Sequence, residues 1–259
     1  MNPREYEVMF RVEDRYWWYR GMRLFARRLL PEVFAPPSPL RLLDAGCGTG
    51  ANLAHGLAAP VAGGGRHRAT GADLSALALA FCRRRGLTSL SRANLTALPY
   101  RDQSFDVVTC HDVLPTVPDD AAAARELARV LRPGGVLYVT VAAFESLRGD
   151  HDRAVHGIRR YRRRRLVGLL TAAGLEVERT TYANAFLFVP IWLHRRARSL
   201  LSSPPDPSEA TSDFPYLPRW LEGVFFGLLR AEAALAPRVA LPFGVTLVAR
   251  AKKPGEAPV

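Results

Sequence analysis

The chain has 259 residues, 48% of them hydrophobic and 23% charged, a mixture that suits one substantial globular core and excludes a fibrous or disordered chain. With 36 basic against 24 acidic residues the formal charge is +12, most of it arginine, so the surface attracts anions: nucleic acid, acidic lipid headgroups or an anionic small substrate. Cys47, Cys82 and Cys110 are far apart and form no C-x-x-C pair, which argues against a disulfide framework and a zinc site; no metal is expected.

The opening "MNPREYEVMF" carries acids early and lacks an apolar run before a small-residue cleavage site, so the sequence predicts no signal peptide and a cytoplasmic protein. A helix is expected over about residues 4–30. It contains "EDRYWWYRGMR", and four consecutive aromatics, Tyr16 to Tyr19, cannot share one helix face; some must reach core while others cover something else.

After the joint "PPSPL", the apolar runs "RLLDAG", "ATGADL", "FDVVTC" and "GVLYVTVA" alternate with the helical patterns "GANLAHGLA", "SALALAFCRRRG" and "DDAAAARELARVLRPGG". Strand and helix repeated in this order predict parallel strands joined by right-handed crossovers, hence an open doubly wound α/β sheet. Pro133 and the glycines after it end the third helix and turn the chain into the next strand.

Past residue 150 comes "HDRAVHGIRRYRRRRL", with six arginines between 159 and 165. A helix over about 162–173 follows, stopped by Gly174, and then the strand "LEVERTTY". An insertion over 184–241 precedes the last strand, "GVTLVARAKK". It contains "AFLFVPIWL", an apolar run far short of the ~20 residues of a spanning helix. Its "SSPPDPSEATSDFPYLP", and earlier "AGGGRHR", have loop composition. His55 and His67 read as surface groups, and Cys47 as a small residue filling a turn.

The piece "LLDAGCGTGANL" puts Asp44 at a strand end and Gly46, Gly48 and Gly50 in the turn into the next helix. Glycines there let a nucleotide-like ligand lie against backbone at the carboxyl end of the sheet. Gly46, Gly48 and Ala51 also satisfy a loose G-x-G-x-x-A dinucleotide pattern, so the loop alone does not choose the cofactor.

With "GADLS", "RANLTALPYRDQSFDVVTCHDVL" and "ELARVLRPGG" following in order, residues 40–145 resemble the class I S-adenosylmethionine-dependent methyltransferases, small-molecule enzymes of the methyltransferase type 11 kind. The resemblance implies a Rossmann-like, doubly wound, mostly parallel seven-stranded sheet and S-adenosylmethionine as cofactor. It sets Asp44, Gly46, Cys47, Gly48 and Gly50 against the methionine and ribose, Asp73 on the ribose hydroxyls, Leu74 and Leu95 beside the adenine, and Asn94 on its amino group. His111 would lie near the sulfonium. Two departures stand out: Asn94 where an aspartate is usual, and "DVLPT" where "DVLEH" is common, which removes a frequent histidine.

The aromatic opening and the "HD…H…RRY" segment resemble a bacterial subgroup whose N-terminal helix closes over the cofactor. This implies a helical lid over 1–36, a cofactor-binding core over 37–183, a helical insertion or substrate cap over 184–241, and a last core strand with tail over 242–259. Trp18 would then face the sulfonium and Arg20 the methionine carboxylate. His151, His156, Arg160 and Tyr161 would wall the acceptor side, with His151 first and His111 second as candidate base, while Arg162 to Arg165 read as a solvated helix start.

The expected function is methyl transfer to a small, lipophilic or lipid-linked acceptor, by a protein whose basic, apolar insertion suits peripheral contact with an anionic membrane at its inner face. One alternative is a nucleic-acid methyltransferase, against which stands the absence of an N-P-P-Y type tetrapeptide after the fourth strand. The other is a non-catalytic S-adenosylmethionine-binding or interaction protein, against which stand the intact glycine turn and Asp73.

Overall fold

A computed structural model describes residues 1–34, 36, 38–57, 66–201 and 217–255. Part of "AGGGRHR" (62–65) and most of the expected loop in the insertion (202–216) lie outside the described residues.

The centre is a seven-stranded sheet in the order β3-β2-β1-β4-β5-β7-β6. β1 (Arg41–Ala45) pairs in parallel with β2 (Arg68–Asp73) and β4 (Phe105–His111), β2 with β3 (Leu90–Arg92), and β4 with β5 (Leu131–Ala142). β7 (Thr246–Lys252) runs antiparallel between β5 and β6 (Glu176–Ala183). β4 is buried along nearly its whole length, as a parallel strand covered on both faces must be, which is why "FDVVTC" is a continuous apolar run. β3 is three residues of polar character, "LSR", and carries no apolar run by which the sequence could mark it.

α4 (Ala76–Arg84) starts where Ser75 Oγ accepts from Ala78 N–H at 3.3 Å, and α5 (Asp120–Val130) where Asp119 Oδ1 accepts from Ala122 N–H at 2.8 Å. α5 ends at Val130; Gly134 takes φ +76°, and the strand pairing slips between Phe105 and Val107 as the "RPGG" turn enters β5. α7 (Arg163–Ala172) packs Leu166 and Leu170 inward and stops at Gly174, φ +83°.

The expected single opening helix is two: α1 (Pro3–Val12) and α2 (Trp17–Leu29), followed by the short α3 (Pro31–Phe34). Tyr16 is extended (φ −62°, ψ 133°) and marks the break, while the Glu13 carboxylate just before it accepts from Thr49 Oγ1 and from the guanidinium of Arg85, at 2.8 Å. The pattern "GANLAHGLA" is helical from Ala51, α-type at Ala51 and Asn52 and π-type over Leu53–Leu57, with Ala58 outside the described residues. His67 corrects its surface reading: it is buried, its Nδ1 accepting from Leu40 N–H (3.1 Å) while Nε2 donates to the Val33 carbonyl (2.9 Å). His55 does lie at the surface, 2.9 Å from Asp14.

The insertion carries α8 (Phe188–Leu201) and α9 (Arg219–Leu235). α9 crosses α2 at Gly21, where a β-carbon would stand 2.1 Å from Leu229 Cδ2, so the crossing depends on that glycine. Two apolar clusters fill the two faces of the sheet; Trp17, Met22, Phe25 and Leu229 join α2 and α9 to one of them. Among the described residues no helix is long and apolar enough to cross a membrane.

Candidate active site

One cavity of about 1340 Å³ opens above the carboxyl ends of β1, β2, β4 and β5, beneath α1, α2 and α8. It exceeds the roughly 300–1,000 Å³ of a typical single-ligand site, so it has room for two reactants side by side.

Its first wall is the glycine turn. Gly46, Gly48 and Gly50 all take positive φ (+84°, +54°, +87°), a region that costs other residues energy. At Gly46 a β-carbon would sit 2.1 Å from Val113 Cγ2; at Gly48 it would stand 3.0 Å from Met9 Cε and narrow the cavity. Gly50 serves packing instead, its missing side chain leaving room for Leu87 and Cys82. Cys47 lines the cavity with its sulfur 3.8 Å from that of Cys82.

Asp73 closes the turn: Oδ2 accepts from Gly48 N–H and Oδ1 from Ser75 N–H, both at 2.9 Å. Burial raises its pKa, and the two amides oppose that rise. Each oxygen retains a lone pair toward the cavity side, the arrangement a vicinal diol requires. Asp44 lies beneath the turn, almost fully buried. Thr109 Oγ1 donates to its Oδ1 at 2.7 Å, while Oδ2 has no hydrogen-bond partner. Burial lifts its pKa to about 6, against the pull of Thr109. Asp44 does not itself line the cavity and supports the turn from beneath, so the fit to the amino-acid end of S-adenosylmethionine rests on the glycine cradle and Asp73.

Leu74 (61% exposed), Asn94 and the buried Leu95 form the neighbouring wall. Asn94 Oδ1 already accepts from Thr96 N–H (3.1 Å), which leaves one lone pair and the amide nitrogen for a base edge. His111, at the end of β4, faces the cavity with its ring 5.5 Å from that of Tyr138. Burial lowers its pKa to about 4, so it is neutral at physiological pH. Asp112 follows at φ +56°, held where Thr140 Oγ1 donates to its Oδ2 at 3.1 Å.

The opposite wall comes from the segment after β5 and from α8. α6 (Asp150–Ala154) presents His151 to the cavity; burial and the cations Arg160 and Arg195 lower its pKa while Asp152 opposes them, so the ring is neutral near pH 7. Arg160 lines the same region but is committed: it donates to both oxygens of Asp152 (2.7 and 3.0 Å) and to the Ala143 carbonyl (2.9 Å). Asp152 also accepts from Gly149 N–H at 2.7 Å. Burial raises the Asp152 carboxyl, but Arg160 and that amide outweigh it and hold the carboxyl below its ordinary value.

Not every candidate reaches the cavity. Tyr161 is buried behind it and donates to Asp120 at 2.7 Å. His156 is exposed, its Nε2 2.8 Å from Asn2 Oδ1, tying α6 to the start of α1. Arg20 lies over the Phe226 ring (4.2 Å) and lines a separate cavity of about 200 Å³ that shares His111 and Asn52 with the large one. Trp18 does line the large cavity, with Tyr16, Trp17 and Tyr19. Residues with no sequence signal join them: Met9 of α1, Thr140 of β5, Asn184 after β6, and Ile191 and His194 of α8. Only chain folding brings these together, since they lie far apart in sequence and match no motif.

A profile described as a methyltransferase domain matches residues 43–139, which span the glycine turn, Asp73, Asn94 and the α5–β5 passage. Residues 43–139 are thus similar to a methyltransferase domain. Outside this domain's core, likeness thins. A ubiquinone biosynthesis O-methyltransferase of Bordetella bronchiseptica is 36% identical over 115 residues, 42% of this chain and 45% of that protein. A protein of Mycolicibacterium smegmatis named a probable S-adenosylmethionine-dependent methyltransferase is 33% identical over 172 residues, 65% of this chain and 63% of the relative. The chain thus spans less than two thirds of the length of these curated relatives. A solved S-adenosylmethionine-dependent methyltransferase of Thermotoga maritima superposes with a TM-score of 0.57 at 20% identity, covering 96% of this chain and 95% of the other, which shows a shared fold. The match to a methyltransferase domain covers the turn, Asp73 and Asn94; His151 and α8 lie beyond it.

Proposed function

We propose that the protein transfers the methyl group of S-adenosylmethionine to a small, lipophilic acceptor. The observation that carries this reading is the large cavity with two unlike walls: a glycine and carboxylate cradle on one side, and His151 with the apolar Leu187, Ile191 and Phe225 on the other. When bound, the cofactor supplies an electrophilic methyl on a sulfonium. The protein's own residues position and desolvate. Asp73 holds the ribose hydroxyls, the glycine turn lies against the chain linking ribose to methionine, and α1 and α2 keep water from the space between the walls. His151, neutral and facing the cavity, accepts the proton that a hydroxyl or ammonium acceptor loses.

Calorimetry with S-adenosylmethionine tests the reading. Binding by the native protein, lost in Asp73→Ala, supports it; no binding by the native protein overturns it. The non-catalytic alternative is decided by turnover: with S-[methyl-³H]-adenosylmethionine, label should pass to a lipid extract of source cells. Replacement of His151 by alanine should cut turnover while leaving cofactor affinity nearly intact.

The basic run does not favour nucleic acid, because much of it is engaged. Arg159 donates to the Pro118 carbonyl (2.7 Å), Arg160 to Asp152, Arg163 to the Leu241 carbonyl (3.1 Å) and Arg165 to Asp120 (3.1 Å). Peripheral contact with an anionic membrane is favoured by α9. Trp220, Val224, Leu228 and Leu235 are all exposed on one stripe of that helix, and Arg219, Arg230 and Arg238 are exposed around it. Flotation with vesicles of phosphatidylglycerol and phosphatidylcholine at low salt should carry the protein upward; a protein that stays at the bottom removes the membrane contact.

A further inference from the structure

Asn184 is a buried amide at the end of β6. It is 1% exposed, it lines the cavity, and neither its Oδ1 nor its Nδ2 has a hydrogen-bond partner among the described residues. A buried side-chain amide that makes no hydrogen bond costs free energy, so native folds hold few of them.

The surroundings hold this residue in place at further cost. Its backbone is left-handed (φ 59°, ψ 43°), a conformation that asparagine tolerates better than most residues. Glu232, reaching from α9, accepts from the backbone N–H of Asn184 (2.7 Å), Ala185 (3.0 Å) and Phe186 (3.4 Å). Across the corner, Gly244 lets the chain entering β7 pass the Ala183 carbonyl, where a β-carbon would stand only 2.4 Å from that oxygen. Val245 N–H then donates to the same carbonyl at 2.9 Å. Three segments distant in sequence thus fix one amide at the end of β6, in the wall of the cavity.

Its place in the sheet says which reactant it meets. The order β4-β5-β7-β6 puts Asn184 three strand spacings from His111, on the order of 14 Å at about 4.8 Å per strand, on the side away from the glycine turn. That is the acceptor side, removed from the methyl-transfer point. Uncharged residues stand next to it in the cavity wall: Thr246, which pairs with both Ala142 and Ala183, and Leu187 and Phe225.

Resting on the methyltransferase reading, we propose that Asn184 is a specificity-determining residue. It binds a neutral group that both donates and accepts, a hydroxyl, carried on the apolar body of the acceptor remote from the atom that is methylated. A carboxylate would satisfy only the amide N–H₂ and an ammonium only the carbonyl, whereas a hydroxyl satisfies both.

A double-mutant cycle tests this on protein saturated with S-adenosylhomocysteine, with 4-pentylphenol and pentylbenzene as probes and calorimetry as readout. The native protein is expected to bind the phenol, and the ratio of phenol to benzene affinity should fall about tenfold in Asn184→Leu, the size of one lost buried hydrogen bond. Asn184→Ser, which keeps a donor and an acceptor, should recover part of the ratio, and it stands in if the leucine variant fails to fold. An unchanged ratio in the variants, or no phenol binding by the native protein, overturns the proposal. Loss of S-adenosylhomocysteine binding in the native protein instead overturns the methyltransferase reading, so the two failures are distinct.

Discussion

Replacing Gly46 by alanine should damage the glycine turn in two separable ways. At φ +84° any β-carbon meets its own backbone, at about 1–2 kcal/mol. The new carbon also stands 2.1 Å from Val113 Cγ2, an overlap that must displace one of them at about 1–3 kcal/mol. The expected loss is therefore ~2–5 kcal/mol in urea denaturation, with loss of S-adenosylmethionine binding by calorimetry. Val113→Ala removes the clashing methyl but not the backbone cost. Combined with Gly46→Ala it should restore the steric part only, giving a coupling energy of roughly 1–3 kcal/mol in a double-mutant cycle. A single Gly46→Ala variant within about 0.5 kcal/mol of the native protein, or a coupling no larger than that, would refute the geometry given for this turn.

Asp44→Asn should stabilise the protein by roughly 1–3 kcal/mol at pH 7.5, because it removes a buried charge. The folded carboxyl titrates near 6, above its unfolded value, so its contribution to stability falls as pH rises from about 4 through 6, and the variant should lose that slope in melts across the range. His111 should stay neutral to about pH 4 in an NMR titration. Its folded pKa lies below the unfolded 6.5, so its contribution to stability grows as pH rises from about 4 to 6.5, and His111→Gln should flatten that window. Asp152→Asn strands the buried Arg160 guanidinium and should cost about 3–5 kcal/mol in chemical denaturation. Because the Asp152 carboxyl is held below its ordinary value, its stabilisation is present above about pH 4 and is lost as pH falls through the folded value, so the native acid limb should be steeper than that of the variant.

The doubly wound sheet was legible in the sequence because parallel strands covered on both faces must be apolar throughout, and crossover helices must carry a 3.6-residue pattern. "FDVVTC" and "GVLYVTVA" show the first requirement, "AAAARELARV" the second. β3 escaped because an edge strand of three residues buries little and needs no apolar run. The break between α1 and α2 is not legible for another reason: residues 13–16 contain neither glycine nor proline, and the contacts made there, from Glu13 to Thr49 and Arg85, reach 36 and 72 positions along the chain. His67 was misread because a polar ring is equally at home at the surface or between two backbone groups, and sequence does not say which.

By itself, the sequence determined the doubly wound sheet and its glycine turn, since a chain that turns sharply from strand to helix needs glycine where φ is positive. Tertiary structure alone decided the cavity wall opposite that turn. Whether a basic run is a free patch or a set of ties, which arginine of "RRYRRRR" is buried against Asp152, and which asparagine is left with open hydrogen bonds all depend on groups far apart in sequence that meet only when β6, α8 and α9 close over the sheet.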